Sequence, residues 1–222
     1  MADTHNEPGD RRPVRARAHP LSHALAGWLV RRGVRPNSIS LLSSLFAALA
    51  GAAFASTSLG HFAPALWIIG ALFCLLRLLA HMLDGMVAIA AQQVSPPGEL
   101  YNELPDRFSD LAILIGLGYA AGGSSTAGYL AACGALATAY VRVQGRLAGG
   151  PQSYVGPMAK PHRMFLVSLA AIPCAMFPPD ELRFGPMGLP AWVLVIIAAG
   201  CFATCVRRLR IVAAALARKP HP

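Results

Sequence analysis

Six polar residues with helical spacing stand in the first half of this sequence, at the edges of two apolar runs. They form two groups of three, which are Arg77, His81 and Asp84, followed by Asn102, Asp106 and Asp110. Steps of three and four residues place each group on one face of a helix. An ionised carboxylate beside hydrocarbon costs about 3 kcal/mol, so these acids must be paired, bound to metal or open to water. Oxygen ligands near basic residues suit Mg²⁺ or Mn²⁺ and a phosphate-bearing substrate.

Two interpretations of these acids are open at this point. In the first, the carboxylates form a functional metal site. In the second, Arg77 and Arg107 neutralise the acids in an ion network that only holds the helices together. Gly85 directly follows Asp84, and Ala88 lies one turn later, so the helix face beside the acids is open to a ligand. Small residues also permit close helix packing, which fits either interpretation.

The composition of the chain indicates that these groups are held in a membrane. Of its 222 residues, 55% are hydrophobic and 13% are charged, whereas about 25% are charged in an ordinary soluble domain. The formal charge of +9 does not indicate nucleic-acid binding, because the arginines stand at the edges of apolar runs. The predicted fold is an all-α integral membrane protein with six transmembrane helices. Their predicted bounds are 38–57, 63–91, 105–122, 126–147, 162–178 and 188–210.

A basic amphipathic segment precedes the first predicted span. Its apolar residues share one helical face, which predicts an N-terminal helix at the membrane interface. These residues are Leu21, Leu25, Trp28 and Leu29. Lys and Arg are concentrated before the first span, between the fourth and fifth, and after the last, so both termini are predicted to be cytoplasmic. The predicted organisation is a disordered basic tail (1–17), the interfacial helix (18–36), a transmembrane catalytic domain (37–212) and a cytoplasmic tail (213–222).

The stretch from His81 to Asp106 resembles the signature of the CDP-alcohol phosphotransferase family, D-x2-D-G-x2-A-R-x8-G-x3-D-x3-D. Every spacing is kept, and the matching residues are Asp84, Gly85, Ala88, Gly98 and Asp106. His81, Ile89 and Asn102 replace the first aspartate, the arginine and the third aspartate. The amphipathic first helix and an Arg-Pro-Asn-Ser-Ile-Ser entry into the first span also resemble the family. The chain therefore resembles a diverged branch of it.

The resemblance implies a set of roles for these residues. In the family, four aspartates hold two divalent metals, the metals bind the pyrophosphate of a CDP-linked donor, and the last aspartate activates the acceptor hydroxyl. By resemblance, Asp106 is the catalytic residue. The metal ligands, for one or two Mg²⁺ or Mn²⁺ ions, are Asp84, Asp106, His81 and Asn102. Because His81 and Asn102 remove two negative charges from the motif, either one metal is lost or Asp110 or Glu103 supplies a replacement carboxylate. The residues around the CDP moiety are Gly85, Ala88, Gly98 and Asn37. The residues that bind phosphate or acceptor are Arg77, Arg142, Arg146, Lys160 and Arg163.

The resemblance also implies a function. The expected reaction transfers a phosphatidyl or related group from CDP-diacylglycerol, or a similar CDP-alcohol, to an alcohol acceptor in the bacterial inner membrane and releases CMP. A homodimer in contact with membrane lipids is expected, with Gly116, Gly118, Gly128 and Gly134 available for close helix packing. One alternative is a catalytically degenerate relative that binds CDP-lipid as a partner protein. A small transporter ranks last, because its polar residues would not cluster at one membrane face.

Overall fold

The computed structural model describes residues 19–92, 96–151 and 153–218, with the side chains of 96–102 excluded. Its described part contains seven α-helices and a two-stranded hairpin. The helices are α1 (Pro20–Arg31), α2 (Pro36–Ser56), α3 (Ala63–Ala90), α4 (Pro96–Gly118), α5 (Ser125–Leu147), α6 (Lys160–Met176) and α7 (Leu189–Leu216). A 3₁₀ turn, Thr57–Leu59, follows α2, and the antiparallel strands β1 (Arg183–Phe184) and β2 (Met187–Gly188) precede α7.

Local sequence signals explain where most of these helices begin. A proline stands in the first turn of six of them, where the N–H that proline lacks would have had no partner within the helix. These prolines are Pro20, Pro36, Pro64, Pro96, Pro161 and Pro190. Helix α5 begins differently, because the Ser124 hydroxyl accepts a hydrogen bond from the Ala127 N–H at 3.3 Å. That contact satisfies one of the free donors at a helix start.

The six long helices α2 to α7 correspond to the six apolar segments of the sequence, but two bounds differ by more than five residues. Helix α4 begins at Pro96 instead of 105, so Pro105 lies inside the helix. The prediction followed hydropathy, and hydropathy does not detect a polar first turn. Helix α7 continues to Leu216 instead of 210, which places the start of the predicted C-terminal tail inside a helix. Residues 1–17, predicted to be a disordered tail, lie outside the described residues, as do 219–222.

Three of the described helices are long and apolar enough to cross a membrane, judged by length and composition. They cover Pro36–Leu59, Ala63–Ala90 and Leu189–Leu216. Large apolar side chains are exposed on their outer faces, such as Leu45 at 53% and Phe202 at 73%, as a lipid-facing surface requires. Helices α4 and α5 carry charged residues in their interiors, and α6 has only 17 residues. Six spans therefore stay a prediction.

Helix α1 lies against α3 and keeps part of its apolar face open. Ala26 is buried in this contact, whereas Leu21 is 72% exposed and Trp28 is 46% exposed. The Arg32 guanidinium lies 5.2 Å from the centre of the Trp28 ring. An exposed apolar face beside arginines is the pattern of a helix that lies in a membrane interface, and this placement stays a prediction.

Glycines allow three pairs of helices to approach closely within the chain. A Cβ atom on Gly116 would overlap the backbone of Gly51, so α4 and α2 meet at these two positions. Gly118 and Gly128 bring α4 and α5 together, and Gly134 lies on Cys201 of α7. The four glycines expected at a dimer interface therefore make contacts inside the chain. The sequence alone could not distinguish a helix contact inside the chain from one at a dimer interface, because both require a small residue such as glycine.

We expect Gly116→Ala to destabilise the fold by about 1–3 kcal/mol, because the added methyl group forces α4 away from α2. The free energy of unfolding, measured by SDS titration of the detergent-purified protein, tests this. Gly27→Ala is the matched control, since its Cβ would meet only the end of the Arg31 side chain, at 3.4 Å. Equal stability of the two variants would contradict the close contact.

Candidate active site

The second half of α3 presents Arg77, His81 and Asp84 on one face, as their spacing predicts. Arg77 is fully buried and Asp84 is 3% exposed, while the His81 side chain is 28% exposed. Two serines of α2 fix this face. The Ser43 hydroxyl donates to the Arg77 carbonyl at 3.1 Å, and the Ser40 hydroxyl donates to Asp84 Oδ2 at 2.8 Å. Sequence reasoning did not assign a role to either serine, although Ser40 ends the Arg-Pro-Asn-Ser-Ile-Ser segment.

Asp106 and Asp110 lie on adjacent turns of α4 and meet cations from two other helices. Arg77 Nη2 donates to Asp106 Oδ1 at 3.1 Å and to Asp110 Oδ1 at 2.7 Å. From the first turns of α6, Lys160 Nζ contacts Asp106 Oδ1, and Arg163 Nη2 donates to Asp110 Oδ2 at 2.5 Å. Both carboxylates are buried, so these charged hydrogen bonds offset their desolvation. The ion pairs join α3, α4 and α6.

A second, more exposed ion network lies next to Asp106. Arg107 Nη2 donates to Asp106 Oδ2 at 3.1 Å and to Glu103 Oε2 at 2.9 Å. Arg142 of α5 reaches the other Glu103 oxygen at 2.6 Å and lies 5.4 Å from the centre of the Tyr154 ring. Glu103 is 45% exposed, while Arg142 is 15% exposed. This network forms the open rim of the site, and it includes Arg107, which the predicted site did not.

The segment between α5 and α6 is held against α7, and this contact places Lys160. The Met158 N–H donates to Thr204 Oγ1 at 3.1 Å. Arg208 donates to the Val155 carbonyl at 3.0 Å and to the Thr138 carbonyl at 2.6 Å. Arg208 is 6% exposed, although sequence reasoning used it only as one of the positive charges that set topology. An apolar helix with a terminal Arg gives no local sign that the Arg turns inward.

Thr204→Val is expected to loosen this segment, because valine has nearly the same shape and cannot accept the Met158 N–H. A buried amide without its partner costs about 1–3 kcal/mol, and 1.4 kcal/mol corresponds to a factor of ten. Hydrogen exchange of the peptide that contains Met158 should therefore be about 5- to 150-fold faster, as read by mass spectrometry. Cys205→Ser, one position away on α7, is the control. Unchanged exchange in Thr204→Val would show that the hydrogen bond does not hold the segment.

The described structure brings most of the predicted site residues to the same end of the helix bundle. These are Arg77, His81, Asp84, Gly85, Ala88, Asp106, Asp110, Arg142, Lys160 and Arg163. Two others are exposed, Asn37 in the first turn of α2 and Arg146 at the end of α5. The Asn102 side chain and the surroundings of Gly98 lie outside the described residues. The predicted phosphate ligands Arg77 and Arg163 are 0% and 2% exposed, and both are held by carboxylates.

The groups that would hold a divalent ion are the Asp84 and Asp106 carboxylates and the His81 imidazole. Asp84 Oδ1 is buried and has no hydrogen-bond partner among the described residues. His81 Nδ1 lies 3.6 Å from Asp84 Oδ2 and 3.5 Å from Asp106 Oδ1. Neighbouring ligands of one Mg²⁺ lie about 3 Å apart, so these atoms need only a small shift to share an ion.

Asp106 and Asp110, however, already form ion pairs with Lys and Arg side chains. Within the described ranges, no group of three or more His, Cys, Asp or Glu side chains is arranged to hold a metal ion. The reason lies at Asp106, where Lys160, Arg77 and Arg107 already contact the carboxylate. An ion at Asp84 and Asp106 would therefore have to displace Lys160, the most flexible of the three cations.

Comparison with known proteins gives one relative by sequence. No protein-family model matches the chain. The inner membrane protein YnbA of Escherichia coli (strain K12) is 24% identical over 151 residues, which cover 68% of this chain and 73% of that protein. Together with the apolar helices, this similarity supports a membrane protein.

Solved structures with the same fold include three of Mycobacterium tuberculosis phosphatidylinositol phosphate synthase, PgsA1. The structure with CDP-DAG bound has a TM-score of 0.69 at 20% identity and covers 92% of this chain and 100% of that one. The complex with manganese and citrate has a TM-score of 0.69 at 19% identity, covering 90% and 93%. The apo form has a TM-score of 0.67 at 22% identity, covering 89% and 100%. At this level of identity, the similarity shows that the chain shares the fold of this synthase.

Proposed function

We propose that this chain is a membrane-embedded CDP-alcohol phosphotransferase. It transfers a phospho-alcohol group, with CDP-diacylglycerol as the expected donor, to an alcohol acceptor and releases CMP. The observation that carries the proposal is the position of Asp106, whose buried carboxylate lies among Lys160, Arg77 and His81 at the open end of the bundle. The spacing of the family signature and the shared fold with a synthase solved with CDP-DAG bound support it.

The residues at the rim suit a pyrophosphate. The Lys160 and Arg142 side chains are 14% and 15% exposed, and Arg107, at 21%, links them through Asp106 and Glu103. Fixed cations around a transferring phosphoryl group stabilise the charge that develops on its oxygens and on the leaving CMP. Arg77 and Arg163 are better assigned to holding the carboxylates than to phosphate binding, because they have almost no exposed surface.

Asp106 is assigned to the acceptor. A carboxylate that accepts the proton of an alcohol must be deprotonated and must lie within reach of the reacting hydroxyl, and Asp106 lies at the open end of the bundle. Lys160 shares Oδ1 of this carboxylate, so its ammonium group positions the base before the acceptor enters.

A divalent ion, Mg²⁺ or Mn²⁺, would be held by Asp84 and Asp106 with His81. When bound, it would neutralise the pyrophosphate of the donor and polarise the phosphoryl group. The manganese complex of the structurally similar synthase supports this choice of ion.

The proposal further includes six spans formed by α2 to α7, cytoplasmic termini, and a homodimer in the inner membrane. A dimer would use a surface other than the glycine contacts inside the chain.

The experiment that tests the proposal is a CMP-release assay. The detergent-purified chain is incubated with CDP-diacylglycerol, Mg²⁺ or Mn²⁺, and a panel of alcohols that includes glycerol 3-phosphate, inositol phosphate and free alcohols. Metal-dependent CMP release that increases with alcohol concentration is expected, and the most effective alcohol identifies the acceptor. Absence of release with every metal and alcohol, in a protein that CDP-lipid still protects against heat, would contradict the proposal and indicate a non-catalytic binding relative.

A further inference from the structure

The carboxylates of the site divide into two kinds according to what balances their charge. Asp106 and Asp110 each contact Lys or Arg groups that belong to the chain. Arg77 serves both of them through a single nitrogen, and it is completely buried between α3 and α4. Since an arginine remains protonated in proteins, its charge is a permanent part of the site.

Asp84 differs from these two carboxylates in what balances its charge. Among the described residues it contacts no Lys or Arg, and its partners are the Ser40 hydroxyl and the His81 imidazole. Its second oxygen is buried without a partner. A carboxylate that is 3% exposed is costly in this state, so Asp84 lacks one positive charge that Asp106 and Asp110 already have.

The sequence of the metal-binding motif agrees with this division. A site for two divalent ions uses four aspartates in the family pattern, whereas this chain has two carboxylates, Asp84 and Asp106, and neutral residues at His81 and Asn102. A divalent ion that displaces the Lys160 ammonium from Asp106 adds one net positive charge, which is the charge that Asp84 lacks. A second ion would add two positive charges next to a guanidinium that cannot lose its proton.

We propose that this site binds a single divalent cation, held by Asp84, Asp106 and His81, and that the buried Arg77 guanidinium provides the positive charge of the missing second ion. The inference rests on the proposed function for its choice of ion. The Lys160 side chain is 14% exposed and the Arg77 side chain is 0% exposed, so an ion at Asp106 displaces Lys160 and leaves Arg77 in place. The divalent ion is therefore exchangeable, whereas the charge of Arg77 stays in the site.

The number of bound ions tests this directly. The full chain, purified in detergent without a histidine tag and stripped of metal, is titrated with Mn²⁺ while electron paramagnetic resonance measures free ion. We expect one Mn²⁺ per chain with the spectrum of an isolated ion, and none in Asp84→Asn. A variant that combines Arg77→Leu with His81→Asp and Asn102→Asp is expected to bind two ions with a spin-coupled spectrum.

The outcomes separate this inference from the proposed function, because ion counting does not need turnover. Two ions per wild-type chain, no ion, or one ion that survives Asp84→Asn would overturn the inference. A folded combined variant that still binds only one ion would overturn the role given to Arg77. One ion without CMP release would leave it in place and overturn the proposed activity. CMP release by a chain that binds two ions would overturn the inference and leave the proposed activity in place.

Discussion

Asp106→Asn is expected to lower the rate of CMP release by at least about 10²-fold, because a general base contributes about 10² to 10⁴ and asparagine cannot accept a proton. The substitution keeps the size of the side chain and one acceptor oxygen. Arg77 can therefore still donate to it, and the helix contacts are expected to survive. The rate at saturating donor and acceptor is measured in detergent with Mg²⁺.

The control for this variant is Asp180→Asn, an exposed carboxylate in the connection that follows α6, at the opposite end of the bundle from Lys160. It should release CMP at the wild-type rate. Size-exclusion elution and thermal unfolding of both variants establish that they are folded. Wild-type activity in a folded Asp106→Asn protein would remove Asp106 from the reaction.

Asp110→Ala is expected to have the largest effect on stability, about 3–5 kcal/mol. Asp110 is 1% exposed and accepts from Arg77 at 2.7 Å and from Arg163 at 2.5 Å. Removing the carboxylate leaves two buried guanidinium groups short of a counter-charge between three helices. The free energy of unfolding by SDS titration is the measurement.

A double-mutant cycle separates the ion pair from the loss of packing. The variants are Asp110→Asn, Arg163→Gln and the two combined, and the double variant should be less destabilised than the sum of the single variants. Glu103→Gln is the matched control from the rim, where ion pairs contribute about 0–1 kcal/mol because water screens them. A loss below about 1 kcal/mol in Asp110→Asn and in Asp110→Ala would mean that water reaches the buried network.

The helices and the convergence of the acids could be predicted from local spacing. An α-helix repeats every 3.6 residues, so Arg77, His81 and Asp84 must share a face wherever the helix lies, and Asp106 and Asp110 must do the same. The apolar runs likewise predicted six long helices, and all six form. Errors arose where polarity and helix formation disagree, as in the first turns of α4, which hydropathy assigned to a loop.

Contacts between distant positions were decided by the tertiary structure alone. The Ser40 hydroxyl meets Asp84 across 44 positions, Arg163 meets Asp110 across 53, and Arg208 meets the Thr138 carbonyl across 70. No periodicity connects such pairs, because their approach depends on how α2, α6 and α7 pack around α3 and α4. A buried arginine and a surface arginine also have the same local sequence signal, an apolar run with a terminal charge. Only the packing of the helices distinguishes Arg77, which is fully buried and paired with two carboxylates, from an arginine that faces water or phosphate.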